Sequence, residues 1–144
     1  NIPISTPAQG LPSTFVPGRN QLFLTVAAMT AYTQQRGVLY TGVCQTDYSG
    51  YPDCREDFIR SVEQSLNLAM AVTFQIRTPL MHLTKSETVL KMQALDRLDW
   101  YQWTHTCYEG KRPACGQCPA CILRLKGFQE AGVPDPLAYQ NTTI

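Results

Sequence analysis

Four cysteines stand close together in this 144-residue sequence: Cys107, Cys115, Cys118 and Cys121, spaced C-x7-C-x2-C-x2-C. Thiolates are soft ligands for a closed-shell cation, and a tetrahedral ion needs four donors converging on one point. Two-residue gaps let a tight turn aim successive sulfurs the same way, and the longer gap brings the fourth from an incoming segment. Gly116 permits a sharp backbone path inside that knuckle. The pattern predicts a structural Zn²⁺ site with every coordination position filled by sulfur. Two disulfides are the alternative, since Cys44 and Cys54 bring the total to six cysteines, and free thiols are a third reading. Three cysteines spaced two apart favour a shared metal, because pairing within so short a span is strained. His105 lies two residues before Cys107 and can replace a cysteine, but four thiolates suffice; it reads as a solvent-facing or packing histidine.

A second stretch is dense in chemistry. Residues 44–55 bring Asp47, Tyr48, Tyr51, Asp53 and Arg55 into one short loop. Flat tyrosines can stack on a heterocycle, and carboxylates accept hydrogen bonds from ring N–H and amino groups. The bland reading is that Asp53 caps the next helix and the tyrosines only pack. Arg19, in Val16-Pro17-Gly18-Arg19-Asn20, opens a helix whose free amides suit a phosphate; a surface arginine is the alternative. Lys85 begins another helix and carries the same pair of readings. Cys44, Cys54 and His82 form no legible Cys-His constellation and read as structural groups.

The elements that must position these residues are legible from periodicity. Residues 1–14 are rich in Pro and Ser and predict a loop. Leu22, Phe23, Val26, Ala27, Met29 and Ala31 predict a mostly apolar helix ending before Gly37, and residues 38–44 a buried strand. Phe58, Ile59, Val62, Leu66, Ala69 and Met70 predict an amphipathic helix starting near Arg55. Residues 72–77 predict a second strand, closed by Pro79. Thr84-Lys85-Ser86-Glu87 has the form of a capping box, and a last helix runs over roughly Pro119 to Glu130, stopped by Gly132 and Pro134. Strands separated by helices imply parallel pairing in an α/β sandwich. Two strands make a thin sheet, so either further strands escape the pattern or the rest of the sheet lies outside this sequence. The net charge of +1 makes no electrostatic case for nucleic acid or a membrane surface, and no apolar run reaches the roughly 18 residues that span a bilayer.

Four stretches together resemble the 7-cyano-7-deazaguanine synthases of queuosine biosynthesis. They are residues 14–20, residues 42–55, Pro79-Leu80 with residues 84–88, and residues 106–108 with 115–124. The resemblance covers about Phe15 to Asp135. It implies a Rossmann-like ATP-pyrophosphatase (adenine nucleotide alpha hydrolase-like) α/β fold with a four-cysteine zinc knuckle. It divides the sequence into a loop over 1–14, part of the nucleotide-binding core over 15–98, a zinc-binding segment over 99–132 and a tail over 133–144. It implies conversion of 7-carboxy-7-deazaguanine, ammonia and ATP, with Mg²⁺, into the nitrile through carboxylate adenylation, an amide and dehydration. It implies one Zn²⁺ on Cys107, Cys115, Cys118 and Cys121, a cytoplasmic enzyme and a possible homodimer. Asp47, Tyr48, Tyr51 and Asp53 are expected to hold the deazaguanine, with Arg19 and Lys85 nearer phosphate or the activated carboxyl. The family's Ser-Gly-Gly-x-Asp-Ser phosphate loop has no counterpart here, so the sequence resembles a C-terminal portion and is expected to be inactive by itself. Two other functions compete: a zinc-knuckle binding module, against which stands the small number of basic residues flanking the cysteines (Lys111, Arg112, Arg124 and Lys126), and a related tRNA-modifying enzyme with catalytic or iron–sulfur cysteines.

Overall fold

Gly18 turns the chain into its first helix with a left-handed φ of 73°, a conformation that costs glycine no Cβ clash. The computed structural model describes residues 11, 14–46 and 50–140. The chain divides into two compact units, Asn1–His82 and Leu83–Ile144.

In the first unit, helix α1 (Arg19–Thr33) buries Leu24, Ala28 and Ala31. Leu22, Phe23, Val26 and Met29 are apolar but exposed. Strand β1 (Val38–Tyr40) pairs in parallel with β2 (Gln75–Arg77), Leu39 opposite Ile76. Between them runs α2 (Glu56–Met70), which buries Ile59, Val62 and Leu66 at helical spacing. These residues, with Phe74, Ile76 and Met81, form one continuous core. Each such side chain contributes roughly 1.5–3 kcal/mol of burial free energy. A parallel sheet alternating with helices is the class that the element order predicts.

Both strands are shorter than the pattern predicts. Phe74 does not join the ladder because the Asn67 side chain takes both its backbone groups: Phe74 N–H donates to Oδ1 at 2.6 Å, and Nδ2 donates to the Phe74 carbonyl at 3.1 Å. After Tyr40 the chain stays beside its partner without regular pairing, through Thr41 N–H to Arg77 O and Gln45 N–H to Met81 O, each 3.0 Å.

The second unit opens with α3 (Lys85–Ala94). Its capping box forms as expected: Glu87 N–H donates to Thr84 Oγ1, and Thr84 N–H donates to Glu87 Oε2. A 3-10 stretch, Leu98–Trp103, leads to the cysteines, and α4 (Pro119–Glu130) follows them. Residues 83–98 thus group with the cysteine segment rather than ending before it. Gly127 is the reason, since a Cβ there would lie 2.6 Å from Lys85 Cβ; its absence lets α3 and α4 approach closely. Residues 138–140 return across the knuckle, with Ala114 N–H donating to Ala138 O at 3.0 Å and Gln140 N–H to Ala114 O at 2.8 Å. Among the described residues, no helix is long and apolar enough to cross a membrane.

Candidate functional site

The four cysteines converge as their spacing requires. Their sulfurs all lie within 4.8 Å of one another, and all four residues are buried. Cys115 and Cys121 Sγ are 3.9 Å apart. A tetrahedral ion with metal–sulfur bonds of about 2.3 Å needs sulfurs about 3.8 Å apart, whereas a disulfide needs about 2.0 Å. No disulfide joins them. Gly116 takes φ 72°, as the tight path demands. Backbone amides point at the sulfurs: Gln117 and Cys118 N–H reach Cys115 Sγ at 3.4 and 3.3 Å, Tyr108 N–H reaches Cys118 Sγ at 3.4 Å, and Cys115 N–H reaches Cys107 Sγ at 3.5 Å. Hydrogen bonding, first from Cys115 N–H, draws the Cys107 thiol down to about 6. Burial pushes Cys121 up to about 12. Four thiolates this close repel strongly unless a cation neutralises them, so the geometry and donor set fit a bound metal ion.

The loop residues meet the start of α1. Arg19 places its guanidinium carbon 5.6 Å from the centre of the Tyr51 ring, within cation–π range. Phe15 packs 6.3 Å from the same ring, and Thr14 Oγ1 hydrogen-bonds the Tyr51 hydroxyl. Asp53 is 6% exposed and lies in a 3-10 turn, Pro52–Cys54. It does not cap the helix that follows it. Its Oδ2 instead accepts from Asn20 N–H at 3.2 Å, in the first turn of α1. The helix after the loop is held by Gln45, whose Oε1 accepts from Glu56 N–H at 3.1 Å. Asp53 Oδ1 is buried and has no partner among the described residues. Cys54 accepts from Asn20 Nδ2 at 3.4 Å, and burial, then the Asp53 carboxylate, pushes its thiol up. Asp47 and Tyr48 lie outside the described residues. Lys85 belongs to the second unit, where it is the first residue of α3.

The sequence matches the family model described as "Queuosine biosynthesis protein QueC" over residues 1–132. The chain belongs to the QueC family. It is 57% identical over 127 residues to a protein from Chromobacterium violaceum named 7-cyano-7-deazaguanine synthase, covering 88% of this chain and 54% of that one. A protein of the same name from Laribacter hongkongensis is 52% identical over 127 residues, covering 88% of this chain and 56% of its own length. The QueC chain described here therefore spans about half the length of the curated relatives it matches.

One cluster in this QueC chain escaped the sequence. Arg124 projects from α4 and donates to Asp135 through Nε and Nη2, both at 2.7 Å, and through Nη1 to Thr104 Oγ1 at 2.6 Å. Its guanidinium also lies over the Tyr101 and Phe128 rings. Tyr139 donates its hydroxyl to Asp135 at 2.7 Å. The available signal was an arginine flanked by Ile122, Leu123 and Leu125, a charge inside an apolar run. Nothing in the sequence names its partner 11 residues away.

Proposed function

We propose that this chain carries the base-binding loop and the metal-pinned helices of a 7-cyano-7-deazaguanine synthase. In this reading the whole enzyme activates 7-carboxy-7-deazaguanine with ATP as an acyl-adenylate. Ammonia displaces AMP to give the amide, and a second activation drives loss of water to the nitrile. A carboxylate is a poor electrophile, so the protein's share is to position nucleotide, base and ammonia and to stabilise developing phosphate charge. The Oδ1 of Asp53, buried and without a partner among the described residues, in the same loop as the Tyr51 ring, carries the assignment. A deazaguanine offers N–H and amino donors for that oxygen and a flat face for the tyrosine. Arg19, against the same ring, suits the substrate's carboxylate, and Lys85 suits a phosphate. Asp47 and Tyr48, from the same stretch of sequence, share the base-binding role. The metal is Zn²⁺, held by Cys107, Cys115, Cys118 and Cys121; four thiolates leave no open position, so its work is structural. Thiols persist reduced in the cytoplasm, which is the compartment we assign.

The experiment is a kinetic comparison in the Chromobacterium violaceum synthase, with alanine placed at the positions matching Asp53 and Arg19. The expected result is a KM for the carboxy-deazaguanine raised at least tenfold in both variants. Unchanged KM and kcat in both would remove the assignment. Elemental analysis of the purified chain separates zinc from iron, and an iron–sulfur absorption band would favour the tRNA-modifying alternative.

A further inference from the structure

The Asn20 side chain is placed where the proposed function leaves it unused. Two groups of this one residue engage two consecutive residues of the loop. Its backbone N–H donates to Asp53 Oδ2 at 3.2 Å, and its Nδ2 donates to the Asp53 carbonyl at 2.9 Å and to Cys54 Sγ at 3.4 Å. These bonds join positions 33 and 34 residues apart. They attach the first turn of α1 to the 3-10 turn Pro52–Cys54. Arg19 is the residue immediately before Asn20, and Tyr51 immediately precedes the turn, so the same attachment sets the 5.6 Å approach of guanidinium to ring.

We propose that Asn20 is the positioning residue of this loop: it fixes the Asp53 carboxyl so that Oδ2 is spent on the helix and Oδ1 is presented to an N–H donor of the ligand. A carboxyl free to rotate would offer either oxygen to water or to α1, and would lose orientation with each exchange. Held by the asparagine amide at its own main chain, Asp53 has one oxygen engaged and one buried without a hydrogen-bond partner among the described residues. Ligands with paired N–H donors beside a flat ring are the class it selects. The inference rests on the proposal that this loop holds the deazaguanine base.

Two measurements test it. The first uses the zinc-loaded chain carrying Cys44→Ser, in which Cys54 is the one cysteine outside the metal cluster. Asn20→Ala should raise the rate of Cys54 alkylation by iodoacetamide at least fivefold, and Asn20→Asp, which keeps the shape but removes the donors, should do the same. An unchanged rate in both variants overturns the attachment. The second places Asn→Ala at the matching position of the Chromobacterium violaceum synthase. KM for the carboxy-deazaguanine should rise about tenfold while KM for ATP and the melting temperature stay within twofold and a few degrees, and Asn→Gln should restore part of the loss. Equal changes in both KM values, or a change confined to melting, make the residue merely structural and overturn the proposal. If Asp53→Ala leaves the KM for the base unchanged while Asn20→Ala still exposes Cys54, the base-binding reading of the loop fails and the attachment stands.

Discussion

Asp135→Ala removes a carboxylate that accepts two hydrogen bonds from Arg124, one from the Tyr139 hydroxyl and one from Leu137 N–H. The side chains of Arg124 and Asp135 are 7% and 5% exposed, so water has little access to replace the lost partner. Breaking a buried pair from one side strands the other charge and costs about 3–5 kcal/mol. Arg124 keeps Thr104 Oγ1, the Tyr101 carbonyl and two ring faces, which places the expectation at about 3 kcal/mol, the lower end of that range. For a unit this small, each kcal/mol shifts the melting temperature by roughly 4 °C or more, so a fall of about 12 °C is expected. Trp100 and Trp103 both lie in the same unit, and their fluorescence during urea unfolding of the zinc-loaded chain reads the loss directly. Adding Arg124→Met removes the stranded charge, and the double variant should recover more than half of the lost stability. A single-variant loss under about 1 kcal/mol, or a double variant as weak as the two losses summed, would refute the reasoning.

The same pair sets an acid limit. Burial pushes Asp135 up, but hydrogen bonds from Arg124, Tyr139 and Leu137 outweigh it and hold the carboxyl below the usual range. A group whose folded value is depressed stabilises fully above its unfolded value of about 3.9 and loses that contribution as pH falls through the folded value. Acid unfolding should therefore be steeper in the parent chain than in the double variant, and equal slopes would contradict the pairing. Gly127→Ala should destabilise by about 1–3 kcal/mol in thermal melts, because the new Cβ meets Lys85 Cβ at 2.6 Å and α3 must move; a gain in stability from the better helix former would show that α3 yields freely. Cys118→Ser, or chelation of the metal, should unfold the second unit, read as a shift in tryptophan emission, while the helical signal of residues 19–70 persists. Retained emission after verified loss of metal would remove the structural role given to the ion.

The sequence alone determined what depends on neighbours along the chain. Cysteine spacing located the four-sulfur cluster, because two-residue gaps with Gly116 confine Cys115, Cys118 and Cys121 to one turn. The capping box at Thr84 and Glu87 and the bounds of α4 were legible for the same reason, since caps and stops act within one helical turn. The strands were legible in kind and overlong in extent, because the Asn67 amide claims Phe74 from a distance of seven residues. Tertiary structure decided the contacts that have no local signature. Asp53 looked equally ready to cap the helix after it or to bind a ligand; in the fold it reaches back 33 residues to α1. Arg124 and Asp135 carry no mark of each other in sequence, and only the return of the chain after α4 buries them together. A hydrogen-bonding side chain declares what it can join, but the chain path decides which partner reaches it first once water is excluded.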